Sequence, residues 1–302
     1  MDKFSALRVF VEVAEAGGFS SAARRLKLAA SSVVRSVDAL EESLGTALLN
    51  RTTRQVTLSD AGNVYYVRAK KLLEDLADAD SLVADREGRE PSGPLRVSVP
   101  VVYGSRCIGP HIAGFLARYP KLDFDMRLSD DIVDLVAERI DVAIRLGEAA
   151  PTADVVARQL GSFRRYVVAS HDYLETHGTP IEPTDLANHH CLRFSYRGDQ
   201  QFWTFVGGET TTKVVVTGRM KSNNSEVLCD AVLDGAGIAL LPDWLVEPDI
   251  QSGKLLKLFE RYDVTPNEAR SVVSALYLPS QRGSKRVNAF IDLVSSLVSS
   301  PT

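Results

Sequence analysis

Cysteine is scarce in this chain of 302 residues, and the three cysteines, Cys107, Cys191 and Cys229, lie far apart. Neither a disulfide framework nor a zinc knuckle fits that spacing, because both need cysteines in a paired pattern. The spacing therefore indicates a reducing compartment, and we expect each cysteine to be a small buried side chain.

The chain also lacks an excess of positive charge and a long apolar run. Its formal net charge is −4 and its isoelectric point is near 5.8, so the overall charge does not indicate a polyanionic partner. The amphipathic start of the chain is unlike an export signal, and no later stretch approaches the roughly 18 apolar residues of a membrane span. We expect a cytoplasmic protein that does not contact a membrane.

Motifs for catalysis and cofactor binding are missing as well. The chain has no G-x-S-x-G elbow, and the GxG within residues 234–242 lacks a third glycine, which predicts a helix end that leads into a strand. His189 and His190 precede Cys191, but adjacent residues on a strand point to opposite faces. Trp203 is expected in the core. We therefore expect no enzyme activity, metal or cofactor.

The N-terminal part contains three short helical patterns. Apolar residues recur at helical spacing over Lys3–Ala16, Ser20 is a suitable cap for a second helix over 21–26, and a third helix runs from about Ala30 until Gly45 ends it. The apolar face of the third helix consists of Val33, Val37, Leu40 and Leu44. A short helix, a tight turn and a second helix with small polar and basic residues have helix-turn-helix geometry, whose second helix fits the DNA major groove.

The segment around this turn is locally basic. From Ser20 to Val37 no residue is acidic, and the basic residues are Arg24, Arg25, Lys27 and Arg35. Ala22 and Ala23 are small enough for two helices to approach closely. An acidic protein can in this way present a positive surface to a polyanion.

A hairpin and a long helix follow. Residues 48–58 predict a β-hairpin, or wing, around the turn-like residues 50–54, and Thr57 and Asp60 have capping-box spacing before a helix over 59–87. Apolar residues of that helix repeat at coiled-coil spacing, which predicts pairing with a second helix; packing on its own domain is the alternative. The repeat consists of Ala61, Tyr65, Ala69, Leu72, Leu76, Ala79 and Val83.

Residues 91–94, Pro-Ser-Gly-Pro, predict a domain boundary, and the length of the chain suits two or three compact units. Beyond the boundary strands alternate with helices, which predicts a parallel-rich α/β sheet. The predicted strands cover 95–102, 124–128, 142–146, 155–168, 213–217, 238–241 and 272–278, and the predicted helices cover 108–118, 132–138, 226–233 and 285–298.

Four ordered runs resemble the LysR-type transcriptional regulators. They are FVEVAEAGGFSSAARRL at 10–26, VDALEESLG at 37–45, LLNRTTR at 48–54 and TLSDAG at 57–62. The resemblance extends over the full length and is most specific in the N-terminal part. The chain departs from the family where the recognition helix starts: Ala29 and Ala30 replace the usual Ser or Thr followed by Gln, and Val34 replaces a common serine.

The resemblance implies an α/β protein with a winged helix-turn-helix DNA-binding domain over 1–58 and a long dimerisation and linker helix over 59–90. An effector-binding domain resembling periplasmic binding proteins would cover 91–302. One lobe of this domain would comprise about 95–160 and 271–302, and the other about 161–267. A homodimer or homotetramer would place paired DNA-binding heads on inverted half-sites.

The resemblance also suggests site residues. The expected DNA contacts are Arg24, Ser31, Ser32, Arg35, Ser36, Arg51, Thr52 and Arg54. For each of them a solvated surface is the alternative, although phosphate and groove contacts favour arginine. The effector is expected in the cleft between the lobes, lined by Val101, Val102, Tyr103, Ser105, Asp130, Arg145, Asn223 and Asn224. Tyr103 and Arg145 suit an aromatic or carboxylate effector, unless Asp130 pairs with Arg145.

Three classes of protein were compared: a ligand-responsive regulator, an exported solute-binding protein of similar fold, and an enzyme fused to a DNA-binding head. Only the first fits every segment, since the chain shows neither an export signal nor a catalytic constellation. We expect a regulator whose binding to double-stranded promoter DNA is modulated by a small-molecule effector, with RNA polymerase as a further candidate partner.

Overall fold

The computed structural model describes residues 2–51, 56–86, 90–147, 154–195, 201–267 and 269–299, and for residues 74, 78, 80–86 and 299 it describes the backbone only. The chain divides into two compact units, Met1–Glu87 and Gly88–Thr302. Each unit has its own hydrophobic core.

The first unit starts with three helices, α1 (Lys3–Ala16), α2 (Phe19–Leu26) and α3 (Ala30–Leu44). The predicted ends of α1 and α3 are confirmed: each is followed by a glycine in the left-handed region, Gly17 with φ 65° and Gly45 with φ 68°. The predicted cap of α2 is wrong. This helix begins at Phe19, which packs against the core, so that exposed Ser20 lies within its first turn.

A short antiparallel hairpin follows the three helices. Strand β1 (Leu49–Arg51) pairs with β2 (Val56–Leu58), which confirms the predicted hairpin, and Leu49 lies opposite Leu58. The turn residues 52–55 lie outside the described residues. The helix α4 (Asp60–Arg86) is capped by Ser59, whose Oγ accepts from the Gly62 amide at 2.9 Å. The expected cap residue, Thr57, is instead paired within β2.

The apolar repeat of α4 divides into two parts. Tyr65 lies 5.8 Å from the Phe10 ring and Ala69 is 1% exposed, so this part packs on its own domain, as the alternative had it. Leu72 and Leu76 further along are 52% and 41% exposed. Val83, the last residue of the repeat, has a side chain outside the described set.

The described residues of the second unit form two five-stranded sheets and one three-stranded sheet. Their strand orders are β4-β3-β5-β15-β6, β11-β8-β12-β7-β13 and β10-β9-β14. The first sheet consists of β3 (Gly93–Val99), β4 (Leu122–Leu128), β5 (Val142–Leu146), β6 (Val156–Ser162) and β15 (Val272–Tyr277). The second consists of β7 (Arg165–Ser170), β8 (Cys191–Phe194), β11 (Lys221–Ser222), β12 (Ile238–Pro242) and β13 (Leu255–Leu258). The third consists of β9 (Phe202–Gly207), β10 (Thr210–Val215) and β14 (Asp263–Pro266).

Helical segments cover the sheets of this unit. A continuous helical stretch comprises α5 (Val101–Tyr103), a π turn (Gly104–Ile108), a 3₁₀ turn (Gly109–His111) and α6 (Ile112–Arg118). The other helices are α7 (His171–His177), α8 (Ser225–Leu233), α9 (Asp243–Gln251) and α10 (Lys285–Ser299), with 3₁₀ turns at Pro183–Asn188 and Pro279–Gln281. Within the described residues no helix is long and apolar enough to cross a membrane.

The expectation of parallel-rich sheets is wrong, because both five-stranded sheets are mixed. In the first, β3 is parallel to β4 and β5, but β15 is antiparallel to β5 and β6. In the second, β8 is parallel to its neighbours and β7 is antiparallel to both of its own. We call the part of this unit around the first sheet the first lobe, and the part around the second and third sheets the second lobe. The strand β6 leads from the first lobe to the second, and β15 leads back.

Three further local predictions need correction. The strand predicted over 95–102 ends at Val99 and a helix begins at Val101; the strand predicted over 155–168 is the two strands β6 and β7. The helix predicted over 132–138 is a turn, in which the Asp134 carboxylate accepts from two backbone amides at 2.9 and 3.0 Å. Ile132 and Val136 are 76% and 62% exposed there, and only Leu135 is buried, in a small cluster with Ile140 and Ala143, so too little of an apolar face is buried to hold a helix.

Two predictions, about the GxG segment and about Trp203, are confirmed. The GxG within 234–242 joins the end of α8 at Leu233 to the start of β12 at Ile238. Trp203 is 2% exposed and belongs to the core of the second lobe.

Candidate functional site

The first candidate site is the turn between α2 and α3. Lys27 ends α2 in the left-handed conformation with φ 54°, and its amide donates to the carbonyl oxygens of Ala23 and Arg24. Ala22 is fully buried and Ala23 is 5% exposed, so small side chains lie where the helices pack. The first unit therefore contains a helix-turn-helix in which α3 is the second helix.

The outer face of α3 carries the predicted DNA contacts. Ser31 and Arg35 are exposed, while Ser32 and Ser36 are half-buried. Within the described ranges, Arg35 donates only to its own helix, from Nε to the Ser31 carbonyl at 3.3 Å and from Nη2 to Ser32 Oγ at 3.5 Å. On α2, exposed Arg24 donates to Ser21 Oγ at 3.4 Å. These weak local bonds leave both guanidinium groups accessible to a phosphate or a base edge.

Arg51 has a different environment from Arg35. Its Nη1 lies 2.7 Å from Asp38 Oδ1 and its Nη2 lies 2.6 Å from Glu41 Oε2. The guanidinium carbon also lies 5.0 Å from the centre of the Phe19 ring. The other two predicted wing contacts, Thr52 and Arg54, lie outside the described residues.

Glu41 was not among the predicted site residues. Its Oε1 accepts from the backbone amides of Leu48 and Leu49 at 2.7 and 2.9 Å, while Oε2 binds Arg51. The Glu41 carboxylate thus connects α3 to both ends of strand β1, at Leu48 and Leu49 where the strand begins and at Arg51 where it ends. The three-residue spacing of Asp38 and Glu41, which places both acids on one helix face, is the sequence signal that could have indicated this role.

The second candidate site follows β3, where the chain enters the helical stretch from Val101. The Val101 amide donates to Asp130 Oδ1 at 3.1 Å, and Ser105 Oγ donates to the carbonyl oxygens of Val101 and Val102 at 3.0 and 3.2 Å. Val102 is buried in the core of the second lobe. The Tyr103 ring is 4% exposed and stands edge-on to the Trp244 ring at 5.3 Å, and burial raises the pKa of its hydroxyl. This segment of the first lobe therefore packs on the second lobe.

Arg145 lies half-buried at the end of β5 and binds backbone carbonyls. Its Nη1 donates to Ile144 at 2.9 Å, its Nη2 donates to the Asp131 carbonyl at 2.8 Å, and a longer contact reaches the Ser129 carbonyl at 3.5 Å. Burial lowers the pKa of the guanidinium, an effect that the nearby Asp130 charge opposes. Asp130 itself bonds to Val101, and the ion pairs found among the described residues do not include Asp130 with Arg145.

The remaining predicted effector residues lie at the start of α8. Asn224 caps this helix, because its Oδ1 accepts from the amides of Glu226 and Val227 at 2.9 and 3.2 Å. Asn223 beside it is exposed. From the first lobe, Arg106 Nε donates to Glu226 Oε1 at 2.9 Å. Arg106, Glu226 and Trp244, which the sequence prediction missed, thus join the helical stretch after β3 to α8 and α9.

The tyrosine and histidines near β8 form a packing cluster. The Tyr173 hydroxyl lies 3.2 Å from His189 Nδ1 and accepts from the His190 amide at 2.9 Å, and His177 stacks on the Tyr173 ring at 4.4 Å. Burial lowers the pKa of His189. In the part of the chain that the structure describes, no group of three or more His, Cys, Asp or Glu side chains has an arrangement that could hold a metal ion.

Both units of the chain match known protein families. Residues 4–63 match the bacterial regulatory helix-turn-helix proteins of the lysR family, and residues 88–298 match the LysR substrate binding domain. The chain belongs to the LysR family. It is a LysR-type transcriptional regulator, with a helix-turn-helix DNA-binding domain and a C-terminal domain of the effector-binding type.

Individual relatives match over nearly the whole chain. The transcriptional regulator CrgA of Neisseria meningitidis serogroup C is 35% identical over 289 residues, which are 95% of this chain and 94% of CrgA. The transcriptional activator AaeR of Escherichia coli K12 is 32% identical over 97% of this chain and 93% of AaeR.

Solved structures of full-length regulators share the fold. CrgA from Neisseria meningitidis superimposes with a TM-score of 0.62 at 33% identity and covers 98% of this chain and 99% of its own. The virulence activator AphB from Vibrio cholerae gives a TM-score of 0.58 at 28% identity, with 98% and 99% covered. LysR regulators bind promoter DNA and small-molecule effectors and form oligomers, and the family consists of regulators, not enzymes.

Proposed function

We propose that this protein binds double-stranded promoter DNA through α2 and α3 and that a small molecule in the cleft of the second unit modulates that binding. The observation that carries the DNA-binding part is the exposed face of α3, where Arg35 has no acidic partner among the described residues and bonds within its own helix. Because promoter DNA is in the cytoplasm, we place the protein there. We propose no catalytic activity.

Direct contacts are proposed for Arg24, Ser31, Ser32, Arg35 and Ser36, with Thr52 and Arg54 reaching the DNA from the wing. The local charge supports this assignment, since the four basic residues between Ser20 and Val37 have no acid among them. Serine hydroxyls suit phosphates and either edge of a base pair, and arginine suits guanine or phosphate. The role of Arg51 is considered separately below.

For the effector we propose the cleft between a lobe of about 95–160 and 271–302 and a lobe of about 161–267. Its proposed lining is Val101, Val102, Tyr103, Ser105, Asp130, Arg145, Asn223 and Asn224. The contacts between the segment after β3 and helices α8 and α9 support this location, because a ligand entering there would have to change them. An effector acts only through its different affinity for the two lobe arrangements.

We also propose a homodimer formed through α4, in the linker region 59–90, with a homotetramer as its further assembly. The exposed apolar residues Leu72 and Leu76 support pairing, since apolar side chains repeated along one helix face bind a second helix. Such a dimer would carry two DNA-binding domains, residues 1–58, to paired half-sites. If the protein activates transcription, RNA polymerase is a further proposed partner.

The test is a gel-shift titration, at stated salt, of the purified protein against DNA upstream of its own gene, with an unrelated fragment as competitor. We expect tight binding that resists the competitor. Replacing Arg35 with alanine should weaken binding by about 1–3 kcal/mol and relax the sequence preference if Arg35 contacts a base, or weaken all sequences equally if it contacts phosphate. Unchanged affinity would remove Arg35 from the site, and a folded dimer that binds no tested DNA would reject the regulator function at that locus.

A further inference from the structure

The wing clamp is the group of four side chains Arg51, Asp38, Glu41 and Phe19. It joins β1 to α3 and to the start of α2. Arg51 reaches one carboxylate with each terminal nitrogen, at 2.7 Å and 2.6 Å, while the Phe19 ring lies beneath the guanidinium at 5.0 Å. The clamp thus connects the wing to both helices of the helix-turn-helix.

Glu41 is the centre of this clamp. It is the least exposed of its three charged side chains, at 14%, compared with 36% for Arg51 and 51% for Asp38. Its second oxygen accepts from two successive backbone amides, those of Leu48 and Leu49, where the chain enters β1. Hydrogen bonds to a charged acceptor are stronger than those between neutral groups, so the register of the wing against α3 depends on this carboxylate.

The charge around Arg51 is unfavourable for a phosphate contact. Two carboxylates already occupy its terminal nitrogens, and together with Arg51 they leave the cluster with a net negative charge. A phosphate at this position would have to displace an acid and would meet the repulsion of both. In the part of the chain that the structure describes, Arg35, about one turn before Asp38 on the same helix, has no such acidic partner.

We propose that Arg51 is a positioning residue: it holds the wing at a fixed place relative to α3 through Glu41 and Asp38 and does not contact the DNA backbone itself. This assignment rests on the proposed DNA-binding function. It changes the role that the sequence suggested for Arg51 and adds Glu41, an acidic residue, to the groups on which DNA recognition depends.

The opposite charges of the clamp provide a sharp test. If Arg51 contacts phosphate, neutralising Glu41 should release a cation and strengthen binding, whereas lysine at 51 should largely preserve it. If Arg51 positions the wing, Glu41→Gln and Arg51→Lys should both weaken specific binding, since lysine cannot bond two carboxylates with the geometry of a guanidinium. The two roles therefore predict opposite signs for Glu41→Gln.

The experiment uses the full-length protein and a duplex that it selects from a random-sequence pool. Affinity is measured by fluorescence anisotropy at several salt concentrations, and protected sugars are mapped by hydroxyl-radical footprinting. The variants are Glu41→Gln and Arg51→Lys, with Arg35→Ala as the control for a direct contact. Circular dichroism melting checks that each variant is folded.

We expect both clamp variants to bind the selected duplex about ten-fold more weakly or worse, because each loses a charged hydrogen bond. The slope of log affinity against log salt should stay at the wild-type value, and protection should be lost only at the flanks that the wing reaches. A loss of stability alone would instead weaken the whole footprint evenly, and that result would overturn the positioning role.

Tighter binding by Glu41→Gln, with a slope steeper by about 0.9, would show that the freed Arg51 neutralises one phosphate and would also overturn the proposal. Wild-type affinity together with a wild-type footprint in both clamp variants would likewise overturn the proposal. If the wild-type protein selects no duplex, the proposed DNA-binding function itself fails, a result distinct from all of these, and the role of Arg51 fails with it.

Discussion

At the scale of single residues, short polar side chains beside backbone amides set where elements begin. Asp2, Ser59 and Asn224 each accept from an amide two or three residues further along and start a helix. Asp134 makes the same kind of bond but closes an isolated turn, in which Leu135 is buried while Ile132 and Val136 are exposed. A capping residue therefore starts a helix only where the helix can also bury a face.

The start of α3 lacks such a cap, which gives a first prediction. Ala29 occupies the N-cap position in extended conformation and offers no side-chain acceptor. Replacing Ala29 with serine should raise the free energy of unfolding by about 1 kcal/mol. The measurement is urea denaturation of the full-length protein followed by circular dichroism. Ala30→Ser, one residue inside the helix, is the matched control and should give no gain; equal effects of the two serines would contradict the capping argument.

Gly62 gives a second prediction at this scale. A Cβ placed on it would lie 1.9 Å from the Leu48 carbonyl oxygen, so α4 can approach the hairpin only through a glycine. Gly62→Ala should lower the free energy of unfolding by about 1–3 kcal/mol, since backbone has to move.

The control for Gly62 is Gly114→Ala within α6, where a Cβ would meet nothing within 4 Å. Alanine is the better helix former, so this variant should be as stable as the wild type or about 1 kcal/mol more stable. Thermal unfolding of both variants in parallel distinguishes the clash from the general effect of removing a glycine. A Gly62→Ala protein as stable as the Gly114→Ala protein would refute the close approach.

At the scale of elements, α4 shows how one helix can serve two purposes along its length. Its first turns, including Tyr65 and Ala69, are covered by the domain that precedes it. Leu72 and Leu76 continue the same apolar repeat but stay exposed. The repeat therefore combines intradomain packing with a surface for which we propose a second copy of the chain.

A third prediction follows for this surface. Replacing both Leu72 and Leu76 with glutamate should dissociate the dimer, because two charges would be buried at an apolar interface. Val67→Glu is the matched control, because Val67 is also exposed, at 65%. It lies nine residues before Leu76, which is two and a half helical turns, and so it is on about the opposite face of the helix. Sedimentation velocity at micromolar concentration should show monomer for the double variant and dimer for Val67→Glu. A dimer in both would rule out this face.

At the scale of the whole molecule, the second unit is organised by contacts between its lobes. Val102 is buried in the second-lobe core, Tyr103 packs on Trp244, and Arg106 binds Glu226 across 120 positions of sequence. The exposed ion pair contributes little stability on its own, about 0–1 kcal/mol. The buried aromatic contact is therefore the part that a change in lobe arrangement would alter most.

The fourth prediction uses this contact as a reporter. The chain has two tryptophans, Trp203 in the second-lobe core and Trp244 against Tyr103. In a screen of small organic acids, a compound that raises the melting temperature should also change tryptophan fluorescence. Trp244→Phe should abolish this change and Trp203→Phe should preserve it. A response that instead follows Trp203 would place the effector away from the proposed cleft.

Local sequence signals predicted a substantial part of this molecule. The three N-terminal helices, the glycine ends of α1 and α3, the hairpin, the long helix and α10 all follow from periodicity and caps, which involve residues within a few positions of one another. The family resemblance, carried by ordered runs in the first 62 residues, indicated the function.

Tertiary structure decided which side chains face DNA or solvent and which face one another. The sequence predicted the same DNA-contact role for Arg51 and Arg35. In the folded chain two carboxylates bind Arg51, whereas Arg35 lies on an exposed helix face. Tyr103, expected to contact a ligand, is covered by a tryptophan 141 positions away. The mixed direction of the strands was also decided by tertiary structure, because it depends on where the chain crosses between the lobes. The periodicity of apolar residues shows which face of a helix or strand is buried. It does not show which charged side chains pair or which strands lie side by side, because those partners are distant in sequence and meet only when the chain folds.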